Sequence, residues 1–285
     1  MRICRFDDNR LGVVIGDEVA DVTPVAEKLP ALRWPAPPGD HFIRHLDWMR
    51  TEIEKAAAAG PRKPLGAVRL LSPVANPGKI IGAPVNYVLH MEESRADAGI
   101  NYGTDVKTID HYGLFLKAGS SLVGPGEGVV SERAGRRTDH EIELALVIGN
   151  GGRNIDEDEA LSHVAGYTIG LDMTIRGTED RSYRKSLDTF SVLGPWLVTA
   201  DEFGDPSAVD FELKVNGETR QRANTRDLIF DVKKLVSYAS HAYRLDPGDV
   251  IMTGTPEGVA PVNPGDVMAC WIDRIGSMEV AVRGP

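Results

Sequence analysis

Thr138–Asn150 reads TDHEIELALVIGN, an aliphatic run with two glutamates set into its start. Side chains along a strand alternate between its faces. Written as a strand, the run puts Ile142, Leu144, Leu146 and Ile148 on one face and Glu141, Glu143, Ala145 and Val147 on the other. The first face is wholly apolar, which makes the strand a core element. The second carries two acids side by side. Carboxylates this close repel, and one stays protonated unless a cation intervenes. Spacing alone leaves two readings open: a divalent metal between the acids, or acids beyond the sheet edge in water, partnered by Arg136 and Arg137.

The chain of 285 residues is long enough for one large domain or a domain with a small appendage. Hydrophobic residues make up 42% and charged residues 26%, an ordinary globular composition. The formal charge of -10 argues against a nucleic-acid binder, because phosphate backbones attract basic surfaces. Such a chain still binds an anionic substrate where a local cation reverses the sign. Cys4 and Cys270 stand far apart and form no C-x-x-C pair, so they read as buried free thiols. The start, MRICRFDDNR, has no apolar signal region, and no run approaches the roughly 20 apolar residues that span a bilayer. A cytoplasmic protein with no membrane partner is expected.

Residues 1–72 read as a small α+β domain. RICRF, LGVVIG and EVADV are short β-rich runs separated by turn signals. Asp40 then caps a helix that runs to Gly60, with Phe42, Leu46, Met49 and Ile53 on its apolar stripe. His41 and His45 have the i,i+4 spacing of zinc ligands, but no third ligand stands nearby, so a plain surface helix is expected. Residues 73–285 form the main domain: short strands broken by Gly and Pro, a hairpin at Asn216-Gly217, and one later helix within Leu228–Arg244. PGDV occurs twice, at Pro247–Val250 and Pro264–Val267, each time as a turn that launches a strand. A strand-rich chain of this kind predicts a mixed, β-rich α+β fold, a sandwich or rolled sheet and not a doubly wound one. No nucleophile elbow, Walker loop or dinucleotide fingerprint is present.

A third acid favours the metal reading. Tyr167–Thr174, YTIGLDMT, is another apolar strand, and it holds Asp172. Three carboxylates with water make a hard, oxygen-only site that suits Mg²⁺, Mn²⁺ or Ca²⁺ rather than zinc. In VNYVLHMEES, His90 and Glu93 are i,i+3 and meet if the stretch is helical. A carboxylate on one imidazole nitrogen holds the ring so that the other can take a proton from water.

KIIGAPVNYVLHMEES, GLFLKAGSSLVGPGE, DHEIELALVIG, GYTIGLDMTIR, RKSLD and VIMTGTPEGV follow one another in this order. Together they resemble the fumarylacetoacetate hydrolase family, whose fold is a mixed β-roll, commonly dimeric and often preceded by a smaller N-terminal domain. The resemblance implies that Glu141, Glu143 and Asp172 ligate Mg²⁺ or Mn²⁺. It implies that His90 and Glu93 form a catalytic dyad on a segment that orders over substrate, with Lys185 beside the metal. Tyr87, Lys117 and Thr255 fall on positions implied to contact substrate, Thr255 through a substrate carboxylate. The implied activity is hydrolysis of a C–C bond in a 2,4-dioxo acid, giving a pyruvate-type acid and a carboxylic acid. The same site without water attack gives an oxaloacetate-type decarboxylase or a keto–enol isomerase of 2-hydroxy-dienoates. A non-catalytic metabolite-binding member is a further alternative. A small-molecule 2-oxo acid substrate and a homodimer are the implied partners. Two departures bear on substrate: Glu179 stands where better-known acylpyruvase-like members carry Gln, and Pro84 stiffens the entry to the segment implied to order over substrate.

Overall fold

The computed structural model of the chain describes residues 1–131 and 135–285. Among them the largest sheet has twelve strands. Its main path runs Arg62–Pro64, Glu18–Asp21, Arg10–Ile15, Arg2–Phe6, Ser191–Thr199, Val164–Asp172, Ile142–Ile148, Val250–Met252, Ile80–Gly82, Phe115–Lys117. Most pairs are antiparallel, but Val250–Met252 runs parallel to Ile80–Gly82. The order starts and ends on different strands, so the sheet is open and no closed barrel forms among the described residues. A second sheet of five strands is built from Glu218–Asn224, Asp210–Val215, Val267–Ile272, Gly276–Arg283 and Val129–Val130.

The alternation predicted for Ile142–Ile148 decides what covers each face. Ile142, Leu144, Leu146 and Ile148 join one core cluster with Phe211, Leu213, Met268 and Val280 of the second sheet and with Leu235 and Ala239 of the helix Val232–Ala242. Ala145 and Val147 join the other, with Ile3, Val13, Leu46, Met49 and Ile53 from the N-terminal region. The large sheet is therefore the middle layer of a sandwich.

The N-terminal strands extend this sheet. Arg2 and Ile3 pair with Val198 and Leu197, and Arg5 and Phe6 pair with Leu71 and Leu70. Asp40 caps as expected, its carboxylate accepting from Ile43 N at 3.0 Å. The helix is not continuous, however. It stops at Arg44, His45 leaves helical geometry (φ -110, ψ 7), and a second helix runs Leu46–Ala59. The later helix is also shorter than the pattern suggests. Asp231 caps it by accepting from Lys234 N at 2.9 Å, which leaves Leu228–Phe230 outside. The hairpin turn forms at Asn216 (φ 51) and Gly217 (φ 85), both in the left-handed region that a two-residue turn requires. Cys4 and Cys270 are free and buried.

Candidate active site

The strands Ile142–Ile148 and Val164–Asp172 place the acids. Their antiparallel register sets Ile142 opposite Leu171 and Glu143 opposite Gly170. One step outward, Asp172 N donates to Glu141 O at 2.9 Å, so Glu141 and Asp172 face each other across the ladder. Directly opposed residues share a face, and Glu143, two residues on, shares it too. One ligand oxygen from each of Glu141, Glu143 and Asp172 lies within 4.8 Å of the others. Exposures of 4%, 2% and 1% rule out acids in water at the sheet edge. Arg136 and Arg137 are engaged elsewhere, with Glu179 and with Asp97 and Asp139.

Four carboxylates alternate with four cations in one chain of contacts: Asp97, Arg137, Asp139, Arg176, Glu141, Lys185, Asp172, Lys117. Arg176 reaches Asp139 at 2.7 Å and Glu141 at 2.8 Å. Lys185 spends all three donors, on Glu141 at 2.7 Å, Asp172 at 2.6 Å and Thr174 Oγ1 at 2.7 Å. Lys117 holds the other Asp172 oxygen and donates to Phe190 O at 2.7 Å. These charges balance one another, and Glu143 is left over. It accepts from Gly254 N at 2.6 Å and has no cationic side chain against it among the described residues. Burial, then Asp172, pushes the Glu143 carboxyl well above the usual range. Burial opposes ionisation of Glu141 as well, but Lys185 and Arg176 outweigh it and hold that carboxyl far below the range. An all-oxygen set with one unbalanced carboxylate fits a hard divalent cation, and these three acids can hold one.

The acids open onto a cavity of about 760 Å³ that His90, Phe115, Thr255 and Lys185 also line. His90 lies on the helix Val88–Ala96, as the i,i+3 pairing with Glu93 requires, and its Nδ1 is 2.9 Å from Glu93 Oε2. The other Glu93 oxygen accepts from Gly258 N at 2.8 Å, which ties the helix to the TGTPEGV segment. The imidazole is thus fixed at one nitrogen, with the ring at the cavity wall. Thr255 also lines the cavity, but its hydroxyl donates to Ile142 O at 2.9 Å and accepts from Gln221 Nε2 at 2.8 Å.

Two of the residues expected at the substrate are placed elsewhere. Tyr87 is buried in the core with its ring edge-on to Phe211, 6.3 Å between centroids, and does not line the cavity. Lys117 is also off the wall, held beneath it by Asp172 and Phe190 O. Both lie on short apolar stretches whose inward side is core, a distinction that motif spacing does not carry. Glu179 lines the cavity, yet both its oxygens are taken by Arg136 at 2.7 and 2.9 Å, which lowers its pKa and keeps it ionised.

Sequence reasoning passed over Arg176 and Asp139 as positioning groups, and met Asn86 only as the start of the Asn-Tyr-x-x-His stretch, with no role of its own. Arg176 did leave a signal: Asp172, Thr174 and Arg176 are spaced i, i+2, i+4, which in extended chain puts them on one side. Asn86 is fully buried, donating to Phe230 O and Thr253 O at 2.9 and 2.8 Å and accepting from Phe230 N at 2.7 Å. His41 and His45 gain no third ligand. Among the described residues the acid triad is the sole group with metal-ligand geometry.

Known proteins resemble this chain over most or all of its length. It is 56% identical over 285 residues to a maleylpyruvate hydrolase of Aquipseudomonas alcaligenes, covering 99% of each chain. It is 40% identical over 230 residues to a 2,4-didehydro-3-deoxy-L-rhamnonate hydrolase of Sphingomonas sp. strain SKA58, covering 76% of this chain and 77% of that one. A solved maleylpyruvate hydrolase of Sphingobium sp. SYK-6, in complex with manganese(II) and pyruvate, superposes with a TM-score of 0.84 at 42% identity, covering 100% of this chain and 99% of that one. The family model described as Fumarylacetoacetate (FAA) hydrolase C-terminal matches residues 79–283, a span that holds all three acids and the His90–Glu93 pair, and the chain belongs to the fumarylacetoacetate hydrolase family.

Proposed function

We propose that this chain is a divalent-metal-dependent acylpyruvate hydrolase acting on 2,4-dioxo acids of the maleylpyruvate type. The observation that carries this reading is the meeting, in one cavity, of a buried carboxylate triad and a fixed His–Glu pair. The relatives named above support the same choice of substrate class.

Glu141, Glu143 and Asp172 would hold Mn²⁺ or Mg²⁺. When bound, the cation supplies Lewis-acid charge that favours the enolate of the departing pyruvate unit. The chain's own residues do the rest. His90 takes a proton from water at the nitrogen not held by Glu93, and the hydroxide adds to the distal carbonyl carbon. The bond between that carbon and the pyruvate methylene breaks, the electron pair leaves on the methylene, and a proton returned from His90 completes pyruvate. The acyl part departs as a carboxylic acid. Glu93, fixed by Gly258 N, keeps the imidazole in the tautomer that accepts a proton. Lys185 and Arg176 hold Glu141 ionised and aimed, and Lys185 also fixes the Asp172 carboxylate in place. Thr255 serves a substrate carboxylate once its hydroxyl turns from Ile142 O; Tyr87 and Lys117 shape the site from beneath.

The test is turnover of maleylpyruvate, with products identified, in Mn²⁺ or Mg²⁺ and then in chelator. Metal-dependent release of pyruvate and maleate supports the reading. Carbon dioxide from oxaloacetate, or a tautomer without C–C hydrolysis, would move the chain to the decarboxylase or isomerase branch. The same reading includes a cytoplasmic homodimer, checked by sedimentation and cell fractionation. No described helix is long and apolar enough to cross a membrane.

A further inference from the structure

The cavity wall carries four cations, Arg176, Arg181, Arg184 and Lys185. Two are spent on acids: Arg176 on Asp139 and Glu141, Lys185 on Glu141 and Asp172. The other two stand i,i+3 on the short helix Arg181–Lys185, on one side of it. Among the described residues neither forms an ion pair. Arg184 Nε donates to Glu179 O at 2.8 Å and Nη1 reaches Ile175 O at 3.4 Å, both neutral carbonyls. The Arg181 guanidinium lies over the Tyr112 ring, 4.0 Å from its centroid. The acids of this segment do not neutralise them. Glu179 is gripped through both oxygens by Arg136, and Asp180 caps the helix by accepting from Ser182 N at 2.8 Å. A half-buried guanidinium that faces only carbonyls is a charge left uncompensated, in a chain whose formal charge is -10. Burial and the neighbouring Arg176 push its pKa down, and the Glu141 and Glu179 carboxylates, neither of which bonds to its side chain, offset this only in part.

We infer that Arg184, with Arg181 beside it, receives a carboxylate at the acyl end of the substrate, so that the site selects 2,4-dioxo diacids over 2,4-dioxo monoacids. The inference rests on the acylpyruvate reading of this site. One substrate end is a 2-oxo acid, which belongs with the triad and its lysines. A second anion on the same molecule needs a second, uncommitted cation in the same cavity, and a guanidinium supplies a planar fork that matches a carboxylate. Tyr112 belongs to the short helix Ile109–Tyr112 that follows the His90 segment. The contact of Arg181 with it joins the distal end of the substrate to that covering segment.

The test separates this inference from the reading beneath it. Calorimetry on the Mn²⁺-loaded protein compares 2-oxoadipate with 2-oxohexanoate, which share the 2-oxo acid head and chain length and differ only in a terminal carboxylate. Wild type is expected to prefer the diacid by about 30-fold, the scale of one charge-assisted contact. Arg184→Met should bring that ratio close to one, Arg184→Lys should keep part of it, and Arg181→Met should lower it by a smaller factor. Equal binding of both acids to wild type, or an equal loss for both in Arg184→Met, would overturn the inference and leave Arg184 as a brace for the 175–179 carbonyls. If neither acid binds the Mn²⁺-loaded wild type, the acylpyruvate reading itself fails, and the inference with it.

Discussion

Glu143 shows how little a side chain's neighbours in sequence say about its charge. It sits two residues from Glu141 on the same face, yet among the described residues Glu141 pairs with two cations and Glu143 with none. Positioning groups around metal ligands commonly change affinity by 10- to 100-fold. Arg176→Met is therefore expected to weaken Mn²⁺ binding by roughly that factor, through release of Glu141 and Asp139, with little change in helix and strand content. Titration with Mn²⁺ followed by calorimetry reads the first, and circular dichroism the second. An unchanged affinity would mean that Lys185 alone holds Glu141 in place. His90 makes the opposite case. Among the described residues its one side-chain hydrogen-bond partner is Glu93, and it forms no hydrogen bond to a ligand acid. His90→Ala should lower kcat by about 10²- to 10⁴-fold, as loss of a general base does, while Mn²⁺ affinity stays within about threefold. A variant that turns over normally would return the chain to the metabolite-binding reading.

At the scale of elements, periodicity carried far and then stopped. The period of two in Ile142–Ile148 is legible because both faces are buried against different layers, so every second residue meets a different environment. The i,i+3 spacing of His90 and Glu93 is legible for the same local reason, since a helix brings those side chains together whatever surrounds it. Asn86 left no such trace. Its three side-chain bonds go to Phe230 and Thr253, more than 140 residues away. The bond to Thr253 fixes the base of the His90 helix to the strand-end loop that also supplies Gly254 to Glu143, and the two bonds to Phe230 fix it to the approach to the helix Val232–Ala242. Gly254 adopts φ +99, and a Cβ there would lie 2.8 Å from Asn86 Cβ, so the two segments meet too closely for any side chain at that position. Asn86→Ala leaves a buried Phe230 N–H without its acceptor, at a cost of roughly 1–3 kcal/mol. The melting temperature should fall by about 5–10 °C for a chain of this size. Differential scanning calorimetry checks it, and a melting temperature within a degree of wild type would show that the two segments are held by packing alone.

The whole molecule is where sequence reading had least to work with. Residues 1–72 look self-contained in the sequence because their strands and turns are close together, and pairing between residue 2 and residue 198 has no local signature. In space they form a layer. Arg2–Phe6 covers the edge of Ser191–Thr199, and Ile43, Leu46, Met49 and Ile53 pack with Ile3 and Val13 against Ala145, Val147, Leu193, Leu197 and Met252. Ala145 and Val147 lie on the same strand face as Glu143, so this layer covers the continuation of the metal-side face of the strand. Burial of a large aliphatic side chain stabilises by about 1.5–3 kcal/mol, and six of them amount to roughly 10 kcal/mol, comparable with the whole stability of a folded domain. A segment proposed as a separate unit at the 72/73 division is then expected to be separable in sequence but not in stability. Residues 73–285 expressed alone are expected to be insoluble, or to bind an apolar dye and lose Mn²⁺ affinity, because removal bares one face of the middle sheet and one unpaired strand edge at once. Co-expression of residues 1–72 as a separate chain should restore soluble protein, since the contacts are those of a layer and need no covalent link. Soluble, metal-binding protein from residues 73–285 alone would show instead that the N-terminal layer is dispensable and that the second sheet suffices to hold the carboxylate strand.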